Sequence, residues 1–130
     1  MTRALAAAEY CYLTTTGRRS GQPHRIEIWF AAAAGGRDSI YLLAGGRARA
    51  DWVQNLRAHP AVRVEILDRA FAGTARVVEG LAEEPDARRL VYEKYRTRDE
   101  LEAWRDEALP VAIDLVEERR RPVAPRRSRR

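Results

Sequence analysis

The segment Thr14-Thr15-Thr16-Gly17-Arg18-Arg19-Ser20-Gly21-Gln22-Pro23 constrains this chain more than any other. An apolar, β-prone run from Tyr10 to Leu13 enters it, and an alternating run from His24 to Phe30 leaves it. Gly17 and Gly21 give access to backbone conformations closed to other residues, so the chain can reverse sharply between two strands. The same turn carries hydroxyl side chains and two arginines. Guanidinium groups beside exposed turn amides form a small anion trap. A solubilising hairpin loop would use the same residues, so the turn by itself leaves both readings open.

Alternation marks the strands that follow. Over 24–30, Ile26, Ile28 and Phe30 share one face, while Arg25, Glu27 and Trp29 share the other. Gly35-Gly36-Arg37-Asp38 reads as a turn, which would pair this strand in a hairpin with the next, 39–44. Gly45-Gly46 ends that strand. A helix is predicted over 48–58, with Ala48, Trp52, Val53 and Leu56 as its apolar stripe. Asp51 suits the positive end of that helix, and Pro60 stops it. Strands are predicted at 61–67 and 70–79, the second with Phe71, Gly73, Ala75 and Val77 inward. Pro85 opens a helix running to Tyr95, with Ala87, Leu90, Val91 and Tyr95 as its buried side. Asp99 and Glu102 have capping-box spacing for a short last helix carrying Trp104. A closing strand spans 109–116. Six strands, mostly antiparallel by connection length, with two or three flanking helices define an α+β, mainly β fold: a small, partly open barrel plugged by helices.

Composition limits the function classes. At 130 residues and 45% hydrophobic content the chain holds one domain with a real core. The formal net charge is +5. Seven arginines and no acid lie in 119–130, so residues 1–118 sum to −2. The folded domain is therefore expected over 1–118, mildly acidic, with a disordered Arg/Pro-rich tail at 119–130. Nucleic acid or anionic lipid is an expected partner only through that tail, since the body has no basic stripe with interleaved aromatics. No apolar run reaches the roughly 20 residues of a membrane span. The short alanine-rich start lacks the apolar stretch of a secretory signal, and Cys11 alone offers no disulfide framework, so the cytoplasm is the expected location.

Among chemical motifs, most are excluded. His24, His59 and Cys11 show no metal-ligand spacing. No glycine-rich dinucleotide or P-loop fingerprint is present. Cys11 sits in a strand and reads as a small buried hydrophobe. Trp29 stands out because it shares a face with Arg25 and Glu27, and a large aromatic beside charges can be a stacking platform for a flat ligand. Asn55 is polar within its helix and is expected to bond a neighbouring loop. An arginine-bearing turn, a strand tryptophan and a glycine pair together make an anion site beside a planar stacking site. A phosphorylated, flavin-like cofactor requires that combination.

These residues resemble the deazaflavin (F420)-dependent nitroreductase family of split β-barrels. The resemblance rests on Leu13-Thr14-Thr15-Thr16-Gly17-Arg18-Arg19-Ser20-Gly21-Gln22-Pro23, then Ile28-Trp29-Phe30, then Leu42-Leu43-Ala44-Gly45-Gly46, then Ala50-Asp51-Trp52-Val53-Gln54-Asn55-Leu56-Arg57-Ala58-His59-Pro60. It covers about residues 10–116. It implies a six-stranded split barrel that binds coenzyme F420 and passes hydride to a small organic acceptor such as a quinone or nitro compound. It implies that Arg18, Arg19 and Ser20 contact the cofactor's anionic tail, with His24 and Arg25 alongside. By the same resemblance Trp29 stands near the ring, Ala44, Gly45 and Gly46 line the ring or phosphate side, and the chain pairs as a homodimer. No catalytic acid is assigned; Tyr41, Tyr92 and Tyr95 are proton-donor candidates beside solvent. FMN or haem in the same fold, or a non-enzymatic binding module using the tail, are the alternatives. The loop between Gly46 and Trp52 lacks lysine, and Arg98 and Leu101 stand where nitroimidazole-reducing members carry tyrosine. Nitroimidazole reduction is therefore not expected.

Overall fold

A computed structural model describes residues 1–98 and 100–118. The expected cap at Asp99 and the basic tail at 119–130 lie outside the described residues. Seven strands form one sheet: β1 (Cys11–Thr16), β2 (Pro23–Ile28), β3 (Ala31–Ala32), β4 (Ser39–Ala44), β5 (Ala61–Ile66), β6 (Arg69–Val77) and β7 (Leu109–Glu117). Four helices accompany them: α1 (Arg3–Ala6), α2 (Asp51–Ala58), α3 (Glu84–Tyr95) and α4 (Glu102–Glu107), with a 3-10 turn at Arg47–Arg49 before α2.

The spatial order is β2-β1-β5-β6-β7-β4-β3, with every neighbouring pair antiparallel. β2 and β3 are consecutive in the chain yet stand at opposite edges of the sheet. Only Trp29 and Phe30 separate them. Three Cα steps reach at most about 11 Å. The sheet must therefore curl until its two edges nearly meet, giving a barrel with an open seam crossed by those two residues.

This crossing corrects one expectation. The strand at 24–30 does not form a hairpin with 39–44. β2 pairs with β1, from Cys11↔Ile28 to Thr16↔Pro23. The Gly35-Gly36 turn instead joins β4 to β3, through Ala31↔Tyr41 and Ala32↔Ile40. The two alanines of β3 add a seventh strand to the six expected, and a pair of alanines has no alternation to announce it.

The barrel interior holds Leu13, Phe30, Ile40, Leu42, Val64, Ile66, Val111 and Ile113, all fully buried. Burying each such side chain contributes about 1.5–3 kcal/mol. Packing is tight at Gly73 of β6: a Cβ there would fall 2.6 Å from Ile113 Cγ2 and 3.1 Å from Val62 Cγ2. β4 is buried on both faces. Ile40 and Leu42 point inward, while Tyr41 and Leu43 pack in a second core with Ala87, Val91 and Tyr95 of α3. α2 closes one end, with Val53 against Ala44 and Leu109, and Leu56 in the interior. Ala48, expected on the helix stripe, is exposed because it belongs to the 3-10 turn and the helix starts only at Asp51. α4 is capped at Leu101, without a side-chain capping bond. Among the described residues no helix is long and apolar enough to cross a membrane.

Candidate functional site

Two depressions open along β2. The first is built on the β1–β2 turn. Gly17 N–H donates to the Gln22 carbonyl at 2.8 Å, Gly21 N–H to the Gly17 carbonyl at 2.9 Å, and Gln22 N–H to Ser20 Oγ at 3.1 Å. Gly21 has φ +71°, the left-handed geometry glycine tolerates. Gly17 has no such angle, contrary to expectation; it is there for space. A Cβ on it would lie 2.6 Å from Ser20 Oγ and 2.7 Å from His24 Nε2.

This cleft of about 620 Å³ runs between the turn and the first turns of α2. It gathers Arg18, Arg19, Ser20, His24 and Arg25, five residues expected from the sequence to act together. It also includes Thr15, Asp51, Trp52 and Asn55. Asn55 is only 4% exposed. Its Oδ1 accepts from the Arg18 backbone N–H at 3.1 Å and from Arg18 Nη1 at 2.9 Å, and its Nδ2 donates to Thr15 Oγ1 at 3.2 Å. The expected bond from Asn55 to a loop is thus present, and it clamps the turn onto α2. Arg18 Nη2 meets Asp51 Oδ1 at 3.2 Å. Arg25 lies 3.8 Å over the Tyr12 ring and pairs with Glu65 at 3.1 Å. Arg19 is exposed and makes no ion pair among the described residues.

The second depression, about 520 Å³, is an aromatic slot lined by Glu27, Ile28, Trp29, Leu43, Leu101 and Trp104. Trp29 therefore stands apart from the arginines, at the far end of β2. One face of its ring is covered by Tyr95, stacked at 4.2 Å and 7°, and Trp104 meets it edge-on at 5.9 Å and 81°. Behind the slot, Tyr95 Oη accepts from Phe30 N–H at 3.1 Å and donates to the Glu9 carbonyl at 2.7 Å. Lys94 Nζ donates to the Phe30 carbonyl at 2.9 Å and sits 3.8 Å over the Phe30 ring. Burial pushes the Tyr95 phenol up to about 12 and the Lys94 ammonium down to about 8. Burial also raises the Cys11 thiol to about 12, so Cys11 is the inert core residue expected of it.

The glycine pair, expected at the site, lines neither depression; only Gly45 reaches toward a residue of the slot. A Cβ on Gly45 would make ordinary contact with Trp104 at 3.7 Å, and one on Gly46 would approach Ala50 at 3.5 Å. Neither glycine has a positive φ; the left-handed residue is Arg47, at φ 52°. Ala44 is buried, packed with Val53 and Leu109. From the sequence, Asp51 and Trp52 stand only as helix features and Asn55 as a residue bonding a neighbouring loop; their place in the cleft lining is new. The available signal was the placing of Asp51 and Asn55 at i, i+4 and of Trp52 and Asn55 at i, i+3 on α2. Leu101 and Trp104 of the slot come from the loop and helix before β7, too distant in sequence for any pattern to pair them with Trp29.

A half-open barrel of seven antiparallel strands with a few flanking helices matches the split-barrel F420 reductase structures. The chain belongs to the F420H(2)-dependent quinone reductase family, whose sequence model matches residues 1–116. Solved structures agree. An F420-H2 dependent reductase, FDR-A, is 28% identical with a TM-score of 0.64, over 82% of this chain and 93% of that one. A domain-swapped dimer is similar at 28% identity and TM-score 0.64, over 82% and 79% of the two chains. A conserved hypothetical protein of Mycobacterium tuberculosis, Rv2991, is similar at 27% identity and TM-score 0.65, over 92% and 82%.

Proposed function

We propose that this protein is an F420H2-dependent oxidoreductase that passes hydride to a small organic acceptor such as a quinone. The observation that carries the reading is the placement of charge and aromaticity on one strand. The anion-binding cleft begins at His24 and the aromatic slot ends at Trp29, about 17 Å apart at the rise of an extended strand. An elongated cofactor with a flat head and an anionic tail matches that span. The residues present suit such a group. The cleft has the volume of a cofactor site, Gly17 leaves room where a side chain would intrude, and Arg19 offers a guanidinium with no ion pair among the described residues.

In this reading Arg18, Arg19 and Ser20 hold the anionic tail, with His24 and Arg25 beside them. Trp29, backed by Tyr95, and the Gly45-Gly46 segment after Ala44 border the ring. The bound deazaflavin would supply the hydride. The protein's part is to orient it, to exclude water with the Trp29–Trp104 wall, and to place the acceptor within about 3–3.5 Å of the donor carbon. Mixing the protein with F420H2 and a panel of quinones tests this by cofactor reoxidation. Turnover above the protein-free rate is expected. Failure of F420 to bind, with FMN binding in its place, would overturn it.

A further inference from the structure

We propose that Asp51 sets the anion affinity of the cleft by competing with the ligand's oxyanion for Arg18. This rests on the reading of the cleft as the anion end of the cofactor site. Arg18 has two kinds of partner. Asn55 is nearly fully buried and holds both the backbone N–H and Nη1, fixing the arm of the guanidinium. Asp51 meets only Nη2, and its side chain is 86% exposed. An exposed pair of this kind is weak and exchanges readily with solvent and solute anions. Arg18 and Asp51 line the same cleft as Arg19 and Ser20, so a phosphate-type oxyanion entering there takes the place of the carboxylate on Nη2 while Asn55 keeps Nη1 in position. Asp51 also remains in the cleft wall as a like charge. Both effects lower anion affinity, most strongly at low ionic strength, so Asp51 flattens its dependence on salt.

The consequence is a cleft whose cations are partly matched within the chain. Arg18 is matched by Asp51 and Arg25 by Glu65, leaving Arg19 as the arginine of the turn with no carboxylate partner among the described residues. Asp51 is thus a specificity-determining residue: it penalises small anions that cannot also engage Arg19 and Ser20, and favours a ligand long enough to do so.

A double-mutant cycle on the full chain tests the proposal, with inorganic phosphate as probe and the amide NMR shifts of Gly17 and Gly21 as readout. At low ionic strength Asp51→Asn is expected to bind phosphate about three- to tenfold more tightly than the native protein. In an Arg18→Ala background only the like-charge effect remains, so the same change is expected to give a clearly smaller gain, below about twofold, and at high salt the gain in the native background should also fall below about twofold. An equal gain in both backgrounds would mean that Asp51 acts as a distant charge, and would overturn the proposal. So would unchanged affinity in Asp51→Asn, or no phosphate binding by that variant. A parallel F420 titration of the native protein reports separately on the cofactor reading. Loss of that reading with the phosphate cycle intact leaves the role of Asp51 standing.

Discussion

The cleft and the slot sit at two ends of one edge strand, and they are made of opposite materials. The cleft is held by charges, most of them exposed, whose partners can be exchanged for a ligand. The slot is held by ring stacking and by buried bonds to the Phe30 backbone, which have no ready substitute. The proposed function would use both: an adaptable grip on a charged tail, and a fixed wall against which a flat ring and its acceptor keep their spacing. The first is expected to respond to salt and the second to pH, because Lys94 and Tyr95, both shifted by burial, lie behind the slot.

The largest effect that would break this contrast is in the slot. Trp29→Ala removes the ring that Tyr95 and Trp104 pack against and is expected to cost about 3 kcal/mol of stability, read by urea denaturation. A loss below about 1 kcal/mol would mean the wall is not rigid. Next comes the cleft. Arg19→Ala should leave stability within about 0.5 kcal/mol. It should still weaken F420 binding by about 1.5–3 kcal/mol for the lost charge-assisted contact, measured by titration. A matching loss of stability would erase the distinction between the two regions.

The smallest expected effect is a pH slope. The Lys94 ammonium titrates near 8 in the folded chain, below its ordinary 10.5. The unfolded chain therefore binds more protons in that window, and stability rises with pH from about 8 to 10.5. The Cys11 thiol moves the other way, from 9.0 to about 12. Its contribution is complete below pH 9 and is lost as pH climbs toward 12. Each slope is at most about 1.4 kcal/mol per pH unit. Stability should therefore increase from pH 8 to 9 and then flatten. Lys94→Met should abolish the increase, and Cys11→Ala should extend it toward pH 10. Urea midpoints across this range check the sign; a native protein that weakens between pH 8 and 9 would contradict it.

Much of this was legible in the chain, for local reasons. The first hairpin, the inward sets of β5, β6 and β7 and the buried side of α3 follow periodicities that depend only on neighbours in sequence. Arg18, Arg19, Ser20, His24 and Arg25 of the cleft were legible because the turn and the start of β2 place them within eight positions. What sequence could not carry was set at long range. The pairing of Arg18 with Asp51 spans 33 residues, and the packing of Trp29 on Tyr95 spans 66. β4 gave an unclear alternation because both of its faces are covered. The need for Gly17 was read as backbone freedom, whereas only the positions of Ser20 and His24 reveal that it is a matter of room.

The two-residue crossing at Trp29-Phe30 has a consequence for how this chain can change in length. One extra residue between Ile28 and Ala31 would put the alternation arriving from β2 out of step with the one entering β3, so Trp29 and Phe30 could not both keep their present sides. The Gly35-Gly36 loop between β3 and β4 makes no such demand, and growth or peptide tags should be tolerated there. Descendants of this sequence are thus expected to vary in length at the loop and to hold the junction at a fixed count.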